Sequence, residues 1–245
     1  MRRVGIIAAL PGELKPLVQG WEQVPLSAGR KGEAAWLSRL DDVECIAVCA
    51  GVGSEAAARA CGIAAQRGAL DALISVGWAG ALSCGIHPGY AYPVNEVVDA
   101  STQEHFSTGY PLPEGSGVPL KLVTTDHLVQ YAEKRQLAGL HQAVMVDMEA
   151  ATVARFALSQ HLAFYCLKAI SDEIADVLPD FGRYTDADGH LRVGALLGHV
   201  AVRPKYWPGM MRIGQNAKSG ARAVAGALGP VVGPVVGPVV GSTQR

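Results

Sequence analysis

Val43-Glu44-Cys45-Ile46-Ala47-Val48-Cys49-Ala50-Gly51-Val52-Gly53-Ser54-Glu55-Ala56-Ala57-Ala58-Arg59-Ala60-Cys61 is the stretch that decides the fold. A short apolar run at 43-50 reads as a buried strand, the two glycines as a tight turn, and the alanine-rich segment 54-67 as a helix. Ser54 stands at the N-cap, Glu55 in the first turn complements the helix dipole, and Gly68 lies just past the end. Strand, glycine turn and helix in that order are the unit of a sheet covered by helices. The same alternation spreads in both directions, with further strands predicted at 3-9, 34-40, 71-77, 89-98, 119-125, 143-147 and 163-170. Helix 148-160 follows its strand almost without a loop, and a last helix is predicted over 209-228. The expected architecture is a single-domain three-layer α/β/α fold around a central mixed, mainly parallel twisted sheet.

The predicted domain spans 1-228. Beyond it, Gly229-Pro230-Val231-Val232 repeats through Val240, and proline at every fourth residue predicts an extended low-complexity tail over 229-245. The polar stretch between Asp172 and Pro208 reads either as an ordered loop over a site or as a solvated connection.

Charge narrows the partners. With 21 Lys and Arg against 22 Asp and Glu among 245 residues, and no basic run, there is no footprint for nucleic acid or an anionic membrane. A small molecule is the expected partner. Five cysteines, Cys45, Cys49, Cys61, Cys84 and Cys166, form no CxxC pair and read as buried reduced thiols of a cytoplasmic protein. The apolar run at Val4-Leu10 is stopped by Pro11-Gly12-Glu13 and reads as a strand rather than a signal peptide. The seven histidines are scattered without metal-ligand spacing, so no metal and no cofactor is expected.

Gly51-Val52-Gly53-Ser54-Glu55-Ala56 fits the dinucleotide fingerprint, but the acid that would hold a ribose should end the next strand, and Asp71 begins it. The glycines then serve to turn the chain and to bring backbone N–H groups toward a ligand or neighbour. Acids stand instead at the ends of three predicted strands: Glu13, Asp147 with Glu149, and Asp172. That edge is where open α/β sheets place ligands, although a single acid there is more often a helix cap.

Taken together, the local sequences resemble the purine nucleoside phosphorylase and methylthioadenosine/S-adenosylhomocysteine nucleosidase superfamily. Val4-Gly5-Ile6-Ile7-Ala8-Ala9-Leu10 leading to Glu13 resembles the nucleosidase start, and Ala50-Gly51-Val52-Gly53 and Gly77-Trp78-Ala79-Gly80 its glycine turns. Val146-Asp147-Met148-Glu149-Ala150 resembles the ribose-binding segment, and Lys168-Ala169-Ile170-Ser171-Asp172 the segment with the catalytic aspartate. The resemblance implies cleavage of the N-glycosidic bond of a purine nucleoside. Asp172 then matches the general acid that protonates the departing base, and Glu13 the base that activates water. Glu149 matches the grip on the ribose hydroxyls and Met148 the residue packed against the sugar; Gly53, Asp147 and Ser171 beside them are expected to bind substrate too. Leu128, with Val129 beside it, holds the place where an aromatic side chain often stacks on the purine. Lys168 stands for arginine, and Trp78 for a small residue, which sets a bulky ring near the expected nucleophile.

Asp147 in V-D-M-E and Arg203-Pro204 lean toward the hopanoid-associated phosphorylase branch, whose substrate would be an adenosine carrying a lipid at its 5′ carbon. Hydrolysis is expected, with water as co-substrate. Phosphorolysis with phosphate, a non-catalytic nucleoside-binding relative and a dinucleotide oxidoreductase stay open beside it. By the same resemblance the chain is expected to form a homodimer or higher homo-oligomer.

Overall fold

The computed structural model describes residues 2–26, 30, 32–40, 42–112, 118–176 and 207–235. Much of the predicted segment 172-208, including Arg203-Pro204, and the tail from 236 lie outside them. The described chain forms an eleven-stranded mixed sheet. In chain order the strands are β1 (Arg2–Ala8), β2 (Glu22–Val24), β3 (Ala34–Leu40), β4 (Val43–Cys49), β5 (Ala72–Ala81) and β6 (Ala91–Val94). They continue as β7 (Glu96–Asp99), β8 (His105–Ser107), β9 (Lys121–Thr124), β10 (Met145–Asp147) and β11 (Ala163–Asp172). The helices are α1 (Pro11–Leu14), α2 (Ser54–Gln66), α3 (Tyr131–His141), α4 (Ala150–Ser159) and α5 (Trp207–Val235).

The sheet order is β2-β3-β4-β1-β5-β10-β9-β7-β8, with β11 and then β6 branching from β5. Pairing is parallel along β4-β1-β5-β11 and along β10-β9-β7, and antiparallel at the margins and at the β5–β10 joint. Strand alternation sorts the core into two layers. One face carries Ile7, Ile46, Val48, Leu73 and Ala79 against the alanines of α2 and α4. The other carries Val4, Ile6, Ile74, Val76 and Leu167 against Leu14 of α1 and Val224 and Leu228 of α5. Alanine on α2 and α4 lets both helices lie close to the sheet, and Ala60, Ala64, Ala150 and Ala157 are wholly buried.

Several expectations are corrected. The run predicted at 89-98 is two strands, β6 and β7, with Asn95 between them, whose side chain bonds the backbone of Tyr110, Pro111 and Leu120. β2, β8, α1 and α3 are additional elements. They are short or weakly patterned, and tertiary pairing defines them. The predicted turn at Gly77-Trp78-Ala79-Gly80 is the second half of β5, kept extended by its ladder to β11. The last helix does not stop at Leu228 but continues to Val235, so residues 229-235 are not extended. The φ of proline is itself helical, and each proline deletes one backbone bond, which a helix anchored by Ala217, Ala221, Val224 and Leu228 tolerates. Cys84 is exposed in the turn after β5, whereas the other four cysteines are buried. Burial pushes the Cys45 thiol up to about 11 and the Cys61 thiol up to about 12.

Candidate active site

β5 changes partners along one edge, and the candidate residues gather at the exchange. β11 occupies one edge of β5 from Ala72 to Gly80. The other edge pairs with β1 at Ala72–Ser75 and with β10 only at Gly80 and Ala81. Between them, among the described residues, no strand pairs with β5 on that side, and the crevice at such a switch in topology is where α/β sheets bind ligands.

Glu13 fills the upper end of this interval. It is 5% exposed, and its Oε2 accepts the N–H groups of Ala9 and Leu10, each at 2.8 Å. Its Oε1 accepts the Trp78 N–H at 2.8 Å, so the carboxylate joins the end of β1 to the unpaired part of β5. Gly77 makes room for it: its φ is 135°, and a Cβ there would lie 2.5 Å from Oε1. Burial raises the Glu13 carboxyl above its ordinary value, against the lowering effect of the three N–H groups and of Lys168. A carboxylate has about four lone-pair sites, so the three bonds leave one for a water proton.

Glu149 is the N-cap residue of α4 and reaches the N-terminus of α2, where its Oε1 accepts the Gly53 N–H at 2.8 Å. Gly53 has a φ of 91°, a backbone conformation that glycine adopts without a steric penalty. The Met148 N–H lies 3.3 Å from Oε2, leaving lone pairs on both oxygens for hydroxyl groups. Burial raises the Glu149 carboxyl, Asp147 and Glu13 add repulsion, and Lys168 and the Gly53 N–H offset only part of this.

Asp147 is placed differently from the expectation that it binds substrate. Its Oδ1 accepts the Thr124 hydroxyl at 2.7 Å, and its Oδ2 accepts the Ala150 N–H at 2.9 Å and faces Lys168 Nζ at 2.9 Å. It caps α4 and anchors the lysine. Lys168 is 1% exposed. Burial works against its charge, but Asp147 and Glu149 outweigh this and hold it protonated. Three carboxylates, Glu13, Asp147 and Glu149, thus gather around one buried ammonium.

Asp172 ends β11 opposite Gly80, where the ladder is irregular because Ser171 is an extra residue. A Cβ on Gly80 would meet Asp172 Oδ2 at 3.1 Å and Val146 at 3.3 Å, which sets Asp172 beside the strand leading to Glu149. The Ser171 hydroxyl donates to Asp172 Oδ1 at 2.6 Å, and Asn216 of α5 holds the Ser171 carbonyl at 3.1 Å. Lys134 of α3 donates to Asp172 Oδ2 at 2.5 Å and to the Glu173 carbonyl at 2.9 Å. Sequence reading missed this lysine. Its one signal was its place a helical turn before Leu137, on the side that is buried.

Trp78 also departs from expectation. Strand alternation turns its ring to the face of α1 and α5, where a Cβ on Gly12 would lie 3.2 Å from it and its Nε1 donates to the Ala217 carbonyl at 3.1 Å. Its contribution to Glu13 comes from the backbone. Val129 is buried in a small cluster with Leu82, Val123, Leu137 and Val146, whereas Leu128 and Met148 are half-buried.

The fold is shared with solved nucleosidases. The 5′-methylthioadenosine nucleosidase of Arabidopsis thaliana is similar in structure at a TM-score of 0.68 and 20% identity, covering 97% of each chain. The S-adenosylhomocysteine nucleosidase of Streptococcus pyogenes, solved with 5-methylthiotubericidin, gives a TM-score of 0.67 at 18% identity, covering 97% of this chain and 98% of that one. The futalosine hydrolase of Helicobacter pylori gives 0.63 at 16% identity, over 95% of this chain and 98% of that one. No curated protein matches the chain significantly. The family model described as the phosphorylase superfamily matches residues 3–136, and with this match the chain belongs to the phosphorylase superfamily.

Proposed function

We propose that the protein hydrolyses the N-glycosidic bond of a purine nucleoside, of adenosine type and substituted at the 5′ carbon. The observation that carries this reading is the buried Glu13 carboxylate, held by three backbone N–H groups at the partner exchange of β5 with one lone pair left over. In this reading Glu13 takes a proton from water, Glu149 holds the ribose hydroxyls, and Asp172 passes a proton to the purine as it leaves. The developing charge on the ribose is positive, and the surplus of carboxylates around Lys168 stabilises it. Sharing of the family supports the reaction class, as do the nucleosidases among its structural relatives.

Hydrolysis is favoured over phosphorolysis because a phosphate dianion would meet Glu13 and Glu149, while Lys168 is engaged by Asp147 and Lys134 by Asp172. Adenine release from 5′-substituted adenosines, followed by chromatography in phosphate-free buffer, tests this. Release without phosphate is the expected result. Release that needs phosphate and yields a sugar 1-phosphate would replace hydrolysis with phosphorolysis, and tight binding without release would make the chain a nucleoside-binding relative.

A further inference from the structure

Lys134 and Asp172 form a buried ion pair that the reaction as proposed leaves unexplained. Lys134 is 2% exposed and Asp172 5%. The pair closes at 2.5 Å, with the Ser171 hydroxyl on the second carboxylate oxygen at 2.6 Å. Oδ2 of the residue assigned as acid therefore faces an ammonium, while Oδ1 meets the Ser171 hydroxyl, whose one proton is also within reach of the Ala79 carbonyl at 3.3 Å. The ammonium on Oδ2, buried and 2.5 Å away, places a proton donor directly behind the carboxyl that must hand a proton to the purine. A buried ion pair is seldom worth more to stability than an apolar pair of the same volume, so folding does not account for it.

We propose that Lys134 is a positioning residue that acts through Asp172 and supplies the proton Asp172 delivers, an inference that rests on the proposed N-glycosidic cleavage. The proton passes from Lys134 Nζ to the Asp172 carboxylate, leaving a neutral amine and a neutral acid. The C1′–N9 bond breaks with its electron pair going to the purine, and Asp172 gives the proton to N7. Water adds to C1′ and loses one proton to Glu13. That proton leaves to solvent and Lys134 regains one from solvent, so the cycle consumes one water and no net proton. Lysine suits this role because its ammonium can release a proton, whereas a guanidinium keeps its own.

The test compares two leaving groups in the full-length protein. An adenosine-type nucleoside needs protonation at N7, whereas its N7-methylated counterpart leaves as a neutral base and needs none. Lys134→Met is expected to slow the first by about 10²-fold or more, the range of general-acid help, and to leave the second within a few-fold of the native protein. Lys134→Arg, which keeps the charge, is expected to show the same selective loss. Equal slowing of both substrates, or native rates in Lys134→Arg, would overturn the relay and leave Lys134 a structural partner. Should Lys134→Met fail to fold, the arginine variant decides by the same comparison. A native protein that releases base from neither substrate refutes the reaction itself, whereas native cleavage with unselective variants refutes only the role of Lys134.

Discussion

The Glu13 carboxylate is held by more backbone N–H groups than an amide oxygen could accept. In Glu13→Gln a single amide oxygen replaces two carboxylate oxygens, so it cannot accept from Trp78 and from Ala9 and Leu10 together. The expected outcome is a fall in kcat by about 10²-fold or more, with about 1–3 kcal/mol of stability lost to an unsatisfied buried donor. Steady-state kinetics beside urea unfolding read both. Asp172→Asn is expected to remove most of the rate while nucleoside affinity stays within a few-fold, because the acid acts as the base departs. Full activity in that variant would take Asp172 out of the mechanism. Glu149→Gln should damage affinity and rate together, since a grip on the ribose acts before and during cleavage. The acids themselves were legible in sequence because each ends a strand or follows one within a few residues. Their division of labour was not: Asp147 and Glu149 are two residues apart, yet one caps α4 and holds Lys168 while the other crosses to Gly53.

At the scale of elements, β5 and α5 show where local signals stop. Two glycines in Gly77-Trp78-Ala79-Gly80 predict a turn, but the ladder to β11 extends the strand, and Gly77 is needed for its positive φ and for the space Glu13 occupies. Gly77→Ala is expected to displace the Glu13 carboxylate and cost activity more than any alanine on α2 would, as kcat/KM would show. In α5, Leu228→Ala should cost about 2–5 kcal/mol, since the side chain is 1% exposed against the sheet. Truncation after Leu228 is expected to preserve both fold and activity, because the helix is fixed by Ala217, Ala221, Val224 and Leu228. A truncated protein of native solubility but without activity would show that the repeat contributes to the site.

For the whole molecule, opposed carboxylates shape the dependence on pH. Burial works against the Asp99 charge, but hydrogen bonds from Ser101 and Arg155 prevail and hold it at about 2. Its stabilisation is present above the ordinary aspartate range and is lost as pH falls toward 2. Glu13 and Glu149 shift upward, so between the ordinary range and their raised values the folded chain holds more protons than the unfolded one. Stability then falls as pH rises through that interval. Thermal unfolding across the range should show this decline, and Glu149→Gln should flatten it. If Glu13 is the base of the proposed hydrolysis, the acid limb of kcat/KM is expected above the ordinary carboxylate range, because burial raises its carboxyl.

The α/β class, the order of the main strands and the acids at or just beyond three strands are readable along the chain, because period-two apolar runs, glycine turns and alanine-rich helices are local signals. Which edge of β5 is left open, that the Trp78 ring faces α5, and that Lys134 meets Asp172 emerge only from the folded chain. These depend on contacts between residues far apart in the chain: 65 positions separate Glu13 from Trp78, and 38 separate Lys134 from Asp172. A lysine on a short helix has the same sequence signature whether it faces water or a buried carboxylate, and packing alone tells the two apart.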